Sequence, residues 1–162
     1  METNNYLEEV RKQYEDYPFP EVDSDLEFQY LQVTPQDNLA KINHYCFEGK
    51  RDLTKECRFL VAGGGTGHTV IYLAEQLRNT DCEIVYIDLS EASMKVAQQR
   101  AANRDLTNIR WIHGSLLDLP KLQLGQFDYI NCVGVLHHLE NPTEGLLALR
   151  EVLKPDGAMG LM

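Results

Sequence analysis

The sequence predicts an α/β fold: a doubly wound parallel sheet of about five strands, with a helical appendage at the N-terminus. Three observations predict it. Strand-length apolar runs alternate with helix-period stretches from residue 58 onward, a pattern that builds right-handed βαβ units. The first of these runs ends in a turn with four glycines in five residues. A chain of 162 residues also suits one such domain, which would bury ~70% of its unfolded surface.

Residues 1–57 are predicted to form a helical cap or lid, because they contain too few apolar residues to fold alone. Their first helix is indicated by apolar residues spaced three, four and three apart, which fall on one helix face: Leu7, Val10, Tyr14 and Tyr17. Prolines 18 and 20 end this helix, since proline enforces extended backbone.

An acidic loop follows, in which Asp25 is one of several carboxylates. Thr34 and Pro35 then predict the start of a second helix that runs through Cys46, with Thr34 as N-cap and proline at the first helical position.

The first strand of the main domain, residues 58–162, leads into the glycine turn Gly63-x-Gly65-x-Gly67. Glycine lets the backbone approach a ligand closely and adopts positive φ without strain. The helix after the turn points free N–H groups and the positive end of its dipole at the same place. His68 occupies the position where a dinucleotide-binding fingerprint needs a third glycine. We therefore expect an anionic or strongly polar ligand, but not a typical dinucleotide.

The later elements follow in regular alternation. Strands are predicted at residues 83–87, 109–113, 127–133 and 158–162, and a turn at residues 154–157. Ser90 is predicted to cap one helix, and Asn141 with Pro142 to start another. The inner face of that last helix is predicted to carry Leu146, Leu149, Val152 and Leu153.

Asp88 is the main binding candidate outside the glycine turn. In such sheets ligands bind beyond the carboxyl ends of the strands, and Asp88 ends the second strand, 21 residues after Gly67. A carboxylate there can accept two hydrogen bonds from a ribose diol. The alternative is that Asp88 only caps the next helix. Leu89 and Leu116 likewise either flank a planar base or are ordinary core residues.

Several segments together resemble the class I S-adenosylmethionine-dependent methyltransferases with a Rossmann-like fold, in a branch similar to methyltransferase types 11 and 12. They are LVAGGGTG (60–67), IDLS (87–90), GSLLDLP (114–120), FDYI (127–130), GVLHHL (134–139) and LREVLKPDG (149–157). YEDYPFP (14–20) is similar to an element that precedes the core in one branch. The resemblance implies that residues 58–162 bind S-adenosylmethionine.

The resemblance also implies roles for individual residues. Gly63, Gly65 and Gly67 would contact the methionine moiety, and Asp88 the ribose. Leu89 and Leu116 would flank the adenine, with Ser115 at its polar edge. The family often has an acidic residue where this chain has Val61, and usually Asp where it has Ser115. Asp118 is the candidate that would reach the adenine amino group instead.

The implied reaction is an in-line methyl displacement, in which the enzyme aligns the reactants and excludes water. A general base is needed only if the acceptor is protonated. His137 and Tyr17 are the candidates, against the alternatives that His137 caps its segment and that Tyr17 packs the cap. Tyr17 and Phe19 are also candidates for closing over the cofactor.

Composition restricts the partners. The net charge of −10 repels phosphate backbones, so direct nucleic-acid binding is disfavoured. No Cys-x-x-Cys pair occurs among the four cysteines, which indicates reduced thiols in a cytoplasmic protein and no metal site. We expect no secretory signal and no membrane span, because no apolar run approaches ~20 residues.

The family's sheet usually has seven strands, so this chain is expected to lack the last two and to be truncated at its C-terminus. Its final strand would then be an exposed edge open to self-association, with little turnover by the isolated chain. Methyl transfer to an unidentified acceptor is the leading hypothesis. A non-catalytic S-adenosylmethionine-binding or interaction domain is the alternative. A nicotinamide-dependent oxidoreductase is disfavoured by His68.

Overall fold

A computed structural model describes residues 3–23, 26, 27, 29 and 31–162. Asp25, which the sequence assigned to the acidic loop, lies outside the described residues, as do residues 1 and 2 of the predicted cap. The helices are α1 (Thr3–Asp16), α2 (Leu39–Phe47), α3 (His68–Gln76), α4 (Glu91–Asn103) and α5 (Pro142–Glu151). The strands are β1 (Arg58–Ala62), β2 (Glu83–Asp88), β3 (Ile109–His113), β4 (Phe127–Cys132) and β5 (Leu153–Leu161).

The five strands form one parallel sheet in the order β3-β2-β1-β4-β5. The predicted fold class is confirmed. The chain builds outward from β1 to β3 and then returns to the other side of β1 for β4. The carboxyl ends of β1 and β4 therefore form the switch point at which open α/β sheets bind ligands.

The core lies on both faces of the sheet, as the strand alternation requires. On one face Phe59, Val61 and Tyr86 pack with α3 and α4. On the other face Leu60, Ile87 and neighbouring residues pack with α5 and with the 3-10 turn after β3. Because the central strands are buried on both faces, they read in the sequence as continuous apolar runs.

The predicted helix from Thr34 is interrupted in the structure. Residues 35–37 form a single 3-10 turn, and Asn38 is extended at φ −71° and ψ 120°. The N-cap of α2 is Asn38, whose side chain accepts a hydrogen bond from the Lys41 amide at 3.1 Å. The backbone breaks here because Asp37 turns into the protein interior, where it is fully buried.

Two further expectations about elements were wrong. Leu146 is 38% exposed, because α5 packs through Gly145, where an added Cβ would lie 2.4 Å from Leu139. Residues 154–157 are not a turn before the last strand, since β5 already begins at Leu153. They form an irregularity within it, between the pairs Phe127–Leu153 and Tyr129–Ala158.

None of the helices in the described part of the chain is long and apolar enough to cross a membrane.

Candidate functional site

A cavity of about 540 Å³ lies at the carboxyl ends of the strands. Its floor is the glycine turn, its walls are the segments that follow β2, β3 and β4, and its roof includes α1. This volume falls within the range of small-molecule and cofactor pockets. The switch point of the sheet and the glycine turn therefore meet at one cavity.

The three spaced glycines are required by backbone geometry. Gly63, Gly65 and Gly67 have φ of +72°, +52° and +100°, values that side chains rarely permit. A Cβ at Gly63 would also lie 2.4 Å from the Val135 side chain, and one at Gly65 would lie 2.5 Å from the Phe19 carbonyl oxygen. Gly63 and Gly65 line the cavity, whereas Gly67 is the N-cap of α3 behind it.

Asp88 holds the turn in place. Its Oδ2 accepts a hydrogen bond from the Gly65 amide at 2.8 Å, and its Oδ1 accepts one from the Ser90 amide at 2.8 Å. Burial raises the pKa of the Asp88 carboxyl, although these amide hydrogen bonds act in the opposite direction. Asp88 thus caps the next segment and also lines the cavity, and each carboxylate oxygen keeps a lone pair for a ligand.

Of the four residues predicted to surround the adenine, three line the cavity and Asp118 does not. Leu89, Ser115 and Leu116 all line it, and Ser115 Oγ accepts a hydrogen bond from the Leu117 amide at 3.2 Å. Asp118 is not among the lining residues. Its exposed carboxylate pairs with Lys121 Nζ at 3.3 Å. An adenine contact for Asp118 stays an untested prediction, and its placement gives that contact no support.

Two histidines and a tyrosine line the cavity on the β4 side. Tyr14 Oη lies 2.9 Å from His138 Nε2, and the rings of His137 and His138 are 4.1 Å apart. Burial and the adjacent His137 lower the pKa of His138, and burial and Asp88 raise the pKa of Tyr14. Tyr17, the other sequence candidate, is 77% exposed and does not line the cavity.

Sequence reasoning did not identify Tyr14 as a site residue. It assigned Tyr14 to the apolar face of α1, and that face does cover the cavity, together with Leu7 and Val10. The signal was therefore present, because an amphipathic helix ahead of a ligand-binding domain must place its apolar face against something.

A buried polar cluster was also missed. Asp37 Oδ1 accepts a hydrogen bond from Asn131 Nδ2 at 2.5 Å, and its Oδ2 accepts one from Thr69 Oγ1 at 3.0 Å. Asn131 and Thr69 line the cavity, and Asp37 lies behind them, fully buried. Nothing in the sequence separates Asp37 from an ordinary acidic residue at the start of a helix.

The N-terminal segment is attached to the main domain by hydrogen bonds that each include at least one backbone group. The carbonyls of Phe19 and Pro20 accept bonds from the amide and hydroxyl of Thr66, at 3.2 and 2.6 Å. The Glu15 carboxylate accepts bonds from the first two amides of α4, at 2.6 and 3.1 Å. The glycine turn and the start of α4 are therefore both anchored by α1 and the residues after it.

A model of the methyltransferase domain family matches residues 60–159, well over half of the chain. The chain belongs to this family. With the parallel sheet, the match identifies a class I, Rossmann-like, S-adenosylmethionine-dependent methyltransferase domain.

The proteins to which the chain is similar include the following two curated proteins and one solved structure. The uncharacterized protein syc1184_c of Synechococcus is 46% identical over 103 residues, 63% of this chain and 24% of that protein. The mitochondrial ubiquinone biosynthesis O-methyltransferase of Schizosaccharomyces pombe is 32% identical over 120 residues, 72% of this chain and 38% of that protein. PKMT2 from Rickettsia typhi, in complex with AdoHcy, matches with a TM-score of 0.63 and 26% identity over 80% of this chain and 24% of its own. The chain thus spans 24% to 38% of these relatives' lengths.

The residues present fit the family's cofactor. The turn has no Cβ atoms at the positions that approach the cavity floor, a carboxylate lies where a diol could bind, and leucines supply apolar walls. Ser93 Oγ adds a buried polar atom at the cavity with no hydrogen-bond partner among the described residues. Such an atom is costly unless a ligand or water bonds to it.

Proposed function

We propose that this chain is the cofactor-binding part of a methyltransferase that transfers a methyl group from S-adenosylmethionine to an acceptor. One observation carries the proposal: the glycine turn, Asp88 and the Leu89–Leu116 wall line a single cavity at the switch point of the sheet. In this proposal Gly63 and Gly65 lie against the methionine moiety and Asp88 binds the ribose hydroxyls. Gly67, which was also predicted to contact the methionine moiety, lies behind the cavity as the N-cap of α3, and its placement gives that contact no support. Leu89 and Leu116 flank the adenine, with Ser115 at its edge.

The cofactor supplies an electrophilic methyl group on a sulfonium. The chain's own contribution is to orient and to enclose. Asp88 fixes the turn and the ribose together, because the carboxylate that would bind the diol also bonds to Gly65. The apolar residues of α1, Leu7 and Val10, would exclude water from the acceptor side.

We propose further that the acceptor is a hydroxyl compound. Relatives named as ubiquinone biosynthesis O-methyltransferases support this class, as does the Tyr14–His138 pair in the cavity wall. The lowered pKa of His138 favours a neutral imidazole, which can accept the proton that a hydroxyl acceptor must lose. His137 is a second candidate base, and the exposure of Tyr17 gives it less support.

Residues 1–57 are proposed to act as the lid of the domain formed by residues 58–162. Support comes from the hydrogen bonds of Glu15, Phe19 and Pro20 to the main domain. We also propose a cytoplasmic location, supported by four free cysteines. The net charge of −10 argues against a direct nucleic-acid partner.

Calorimetric titration with S-adenosylhomocysteine and with NAD tests the proposed function. We expect S-adenosylhomocysteine to bind and NAD not to bind, because His68 stands where a dinucleotide site needs glycine. Binding of NAD without binding of S-adenosylhomocysteine would refute the proposal. If S-adenosylhomocysteine binds but the protein methylates no acceptor, the non-catalytic alternative gains support.

A further inference from the structure

Asp37 is a fully buried carboxylate next to the cavity. Its side chain comes from the 3-10 turn before α2 and reaches between α3 and β4, where it accepts hydrogen bonds from Thr69 and Asn131. Burial raises its pKa, and these hydrogen bonds act against that rise. The pKa of Tyr129 is raised by burial and by the charge of Asp37.

This carboxylate has no cationic partner in the part of the chain that the structure describes. Among the ion pairs of the described residues, none includes Asp37, and no basic side chain contributes to its pKa shift. The other buried carboxylates differ: Glu27 bonds to Arg100 and Arg104, and Asp128 pairs with Lys154. A buried charge without a partner is costly. Asp37 therefore creates a negative potential that a cation in the cavity would neutralise.

Asn131 and Thr69 link the Asp37 carboxylate to the cavity, because both line the cavity and both donate hydrogen bonds to Asp37. A carboxylate only accepts hydrogen bonds, so the amide nitrogen of Asn131 must point at Asp37. Its Oδ1 is then the polar atom that Asn131 can offer to the cavity that it lines. Thr69 donates its hydroxyl proton to Asp37 and keeps its oxygen lone pairs. Asp37 thus fixes two cavity-lining groups as acceptors, which is the arrangement that an ammonium group requires.

The position of Asn131 and Thr69 indicates which part of a bound ligand these two side chains would contact. Asn131 lies beside Val61 in the sheet, so it marks the β4 side of the glycine turn. Asp88 marks the β2 side, and two strands that flank a third are ~10 Å apart. A nucleoside whose ribose lies at Asp88 and whose base lies between Leu89 and Leu116 would extend its 5′ substituent across the turn toward Asn131.

We propose that Asp37 is a positioning residue for a primary ammonium group on that 5′ substituent, acting through Asn131 Oδ1 and Thr69 Oγ1. The inference rests on the proposed function, because it assumes that an adenosyl amino acid occupies the cavity. In this proposal the N-terminal segment supplies the carboxylate, next to Asn131, which pairs with Val61 in the sheet.

Ligands with and without the ammonium group test the proposal by calorimetry. They are S-adenosylhomocysteine, its deaminated analogue with the carboxylate retained, and 5′-methylthioadenosine, which lacks both charges. Asp37→Asn keeps the shape and removes the charge. Its amide oxygen can still accept from Asn131 Nδ2, and its amide nitrogen can donate to Thr69 Oγ1, which then accepts instead of donating. We expect it to weaken S-adenosylhomocysteine at least tenfold, to leave 5′-methylthioadenosine within twofold, and to strengthen the deaminated analogue.

Asn131→Ala should weaken S-adenosylhomocysteine alone, and Asp156→Asn, at an exposed carboxylate on β5, is the matched control without effect. Equal loss for all three ligands in Asp37→Asn would show a purely structural role and overturn the inference. Unchanged S-adenosylhomocysteine affinity would overturn it too, while the proposed function would stand. If the wild-type chain binds none of the three ligands, both fall.

Discussion

At the scale of single residues, two carboxylates hold the structure of the cavity and are also proposed to act on its ligand. Asp88 bonds to the turn that forms the cavity floor and also faces the cavity. Asp37 orients two lining side chains without lining the cavity itself. Replacing either carboxylate would therefore change the geometry of the cavity as well as any contact with a ligand.

Asp88→Ala should weaken S-adenosylhomocysteine binding about a hundredfold or more, because hydrogen bonds to a charged group contribute ~1.5–3 kcal/mol each. The fold should persist, with the unfolding free energy lowered by ~1–3 kcal/mol for each of the two amides, Gly65 and Ser90, that lose their acceptor. Calorimetry and urea unfolding measure the two effects. Asp81→Ala is the matched control, since Asp81 also accepts a backbone amide bond, from Glu56, outside the cavity lining. An affinity change below threefold would show that Asp88 is only a cap.

Asp37→Asn should make the free protein more stable at pH 7, because burial raises the pKa of Asp37. The folded state then holds the proton more tightly than the unfolded state, so wild-type stability falls as the pH rises from ~4 through the folded pKa. Asparagine avoids this loss. The variant's advantage in urea unfolding should be near zero at pH 4 and grow toward pH 7.

A contrasting control comes from Asp128, which is also buried but pairs with Lys154 at 2.8 Å and Arg51 at 3.5 Å. Asp128→Asn should lower the stability at pH 7, because it leaves Lys154 and Arg51 without this negatively charged partner. If both variants lose stability equally at pH 7, Asp37 is not the unpaired charge that its surroundings indicate.

At the scale of elements, the N-terminal segment completes the site. The Glu15 carboxylate caps the first two amides of α4, and the Ser90 hydroxyl donates to the Tyr14 carbonyl at 3.0 Å. A negative charge at a helix N-terminus is stabilising. The start of α4, directly after Asp88, is thus held by α1.

Glu15→Ala should weaken the packing of α1 on the main domain by about 1 kcal/mol, which is the usual contribution of a helix N-cap. Hydrogen exchange should speed up at the amides of Glu91 and Ala92, whose acceptor is removed, and along α1. Glu9→Ala, on the exposed side of α1, should change neither. Unchanged exchange at Glu91 and Ala92 would contradict the role of Glu15 as a cap.

The sequence allowed the βαβ region to be predicted almost completely, because buried strands and capped helices leave local signals. Ser90 and Asn141 do cap their helices, and five parallel strands are present. The N-terminal segment was predicted less well, since its contacts join residues far apart in the chain. Tyr14 meets His138, and Asp37 meets Asn131, and no local pattern records such pairs.

At the scale of the whole molecule, the sheet has two different edges. β3 and β5 are the outer strands. β5 ends at the exposed Leu161, and the exposed Met162 follows it. An edge strand offers unpaired backbone groups to other chains. Self-association through β5 is therefore a proposed property of this 162-residue chain.

Sedimentation equilibrium should show concentration-dependent association of the chain, and Leu161→Lys should reduce it, because a charge on an edge strand opposes pairing. Leu147→Lys, at an exposed position of α5, is the control that should leave association unchanged. A monodisperse monomer at every concentration would exclude pairing through this edge.

The roof of the cavity is made by α1, and this has a consequence for the rates of exchange. With α1 as the proposed lid, a molecule beneath Leu7, Val10 and Tyr14 would leave faster whenever α1 opens, so its residence time would depend on the motion of this helix as well as on the ligand's own contacts. Because the same three residues line the cavity, loosening α1 would shorten the residence time and weaken the affinity together.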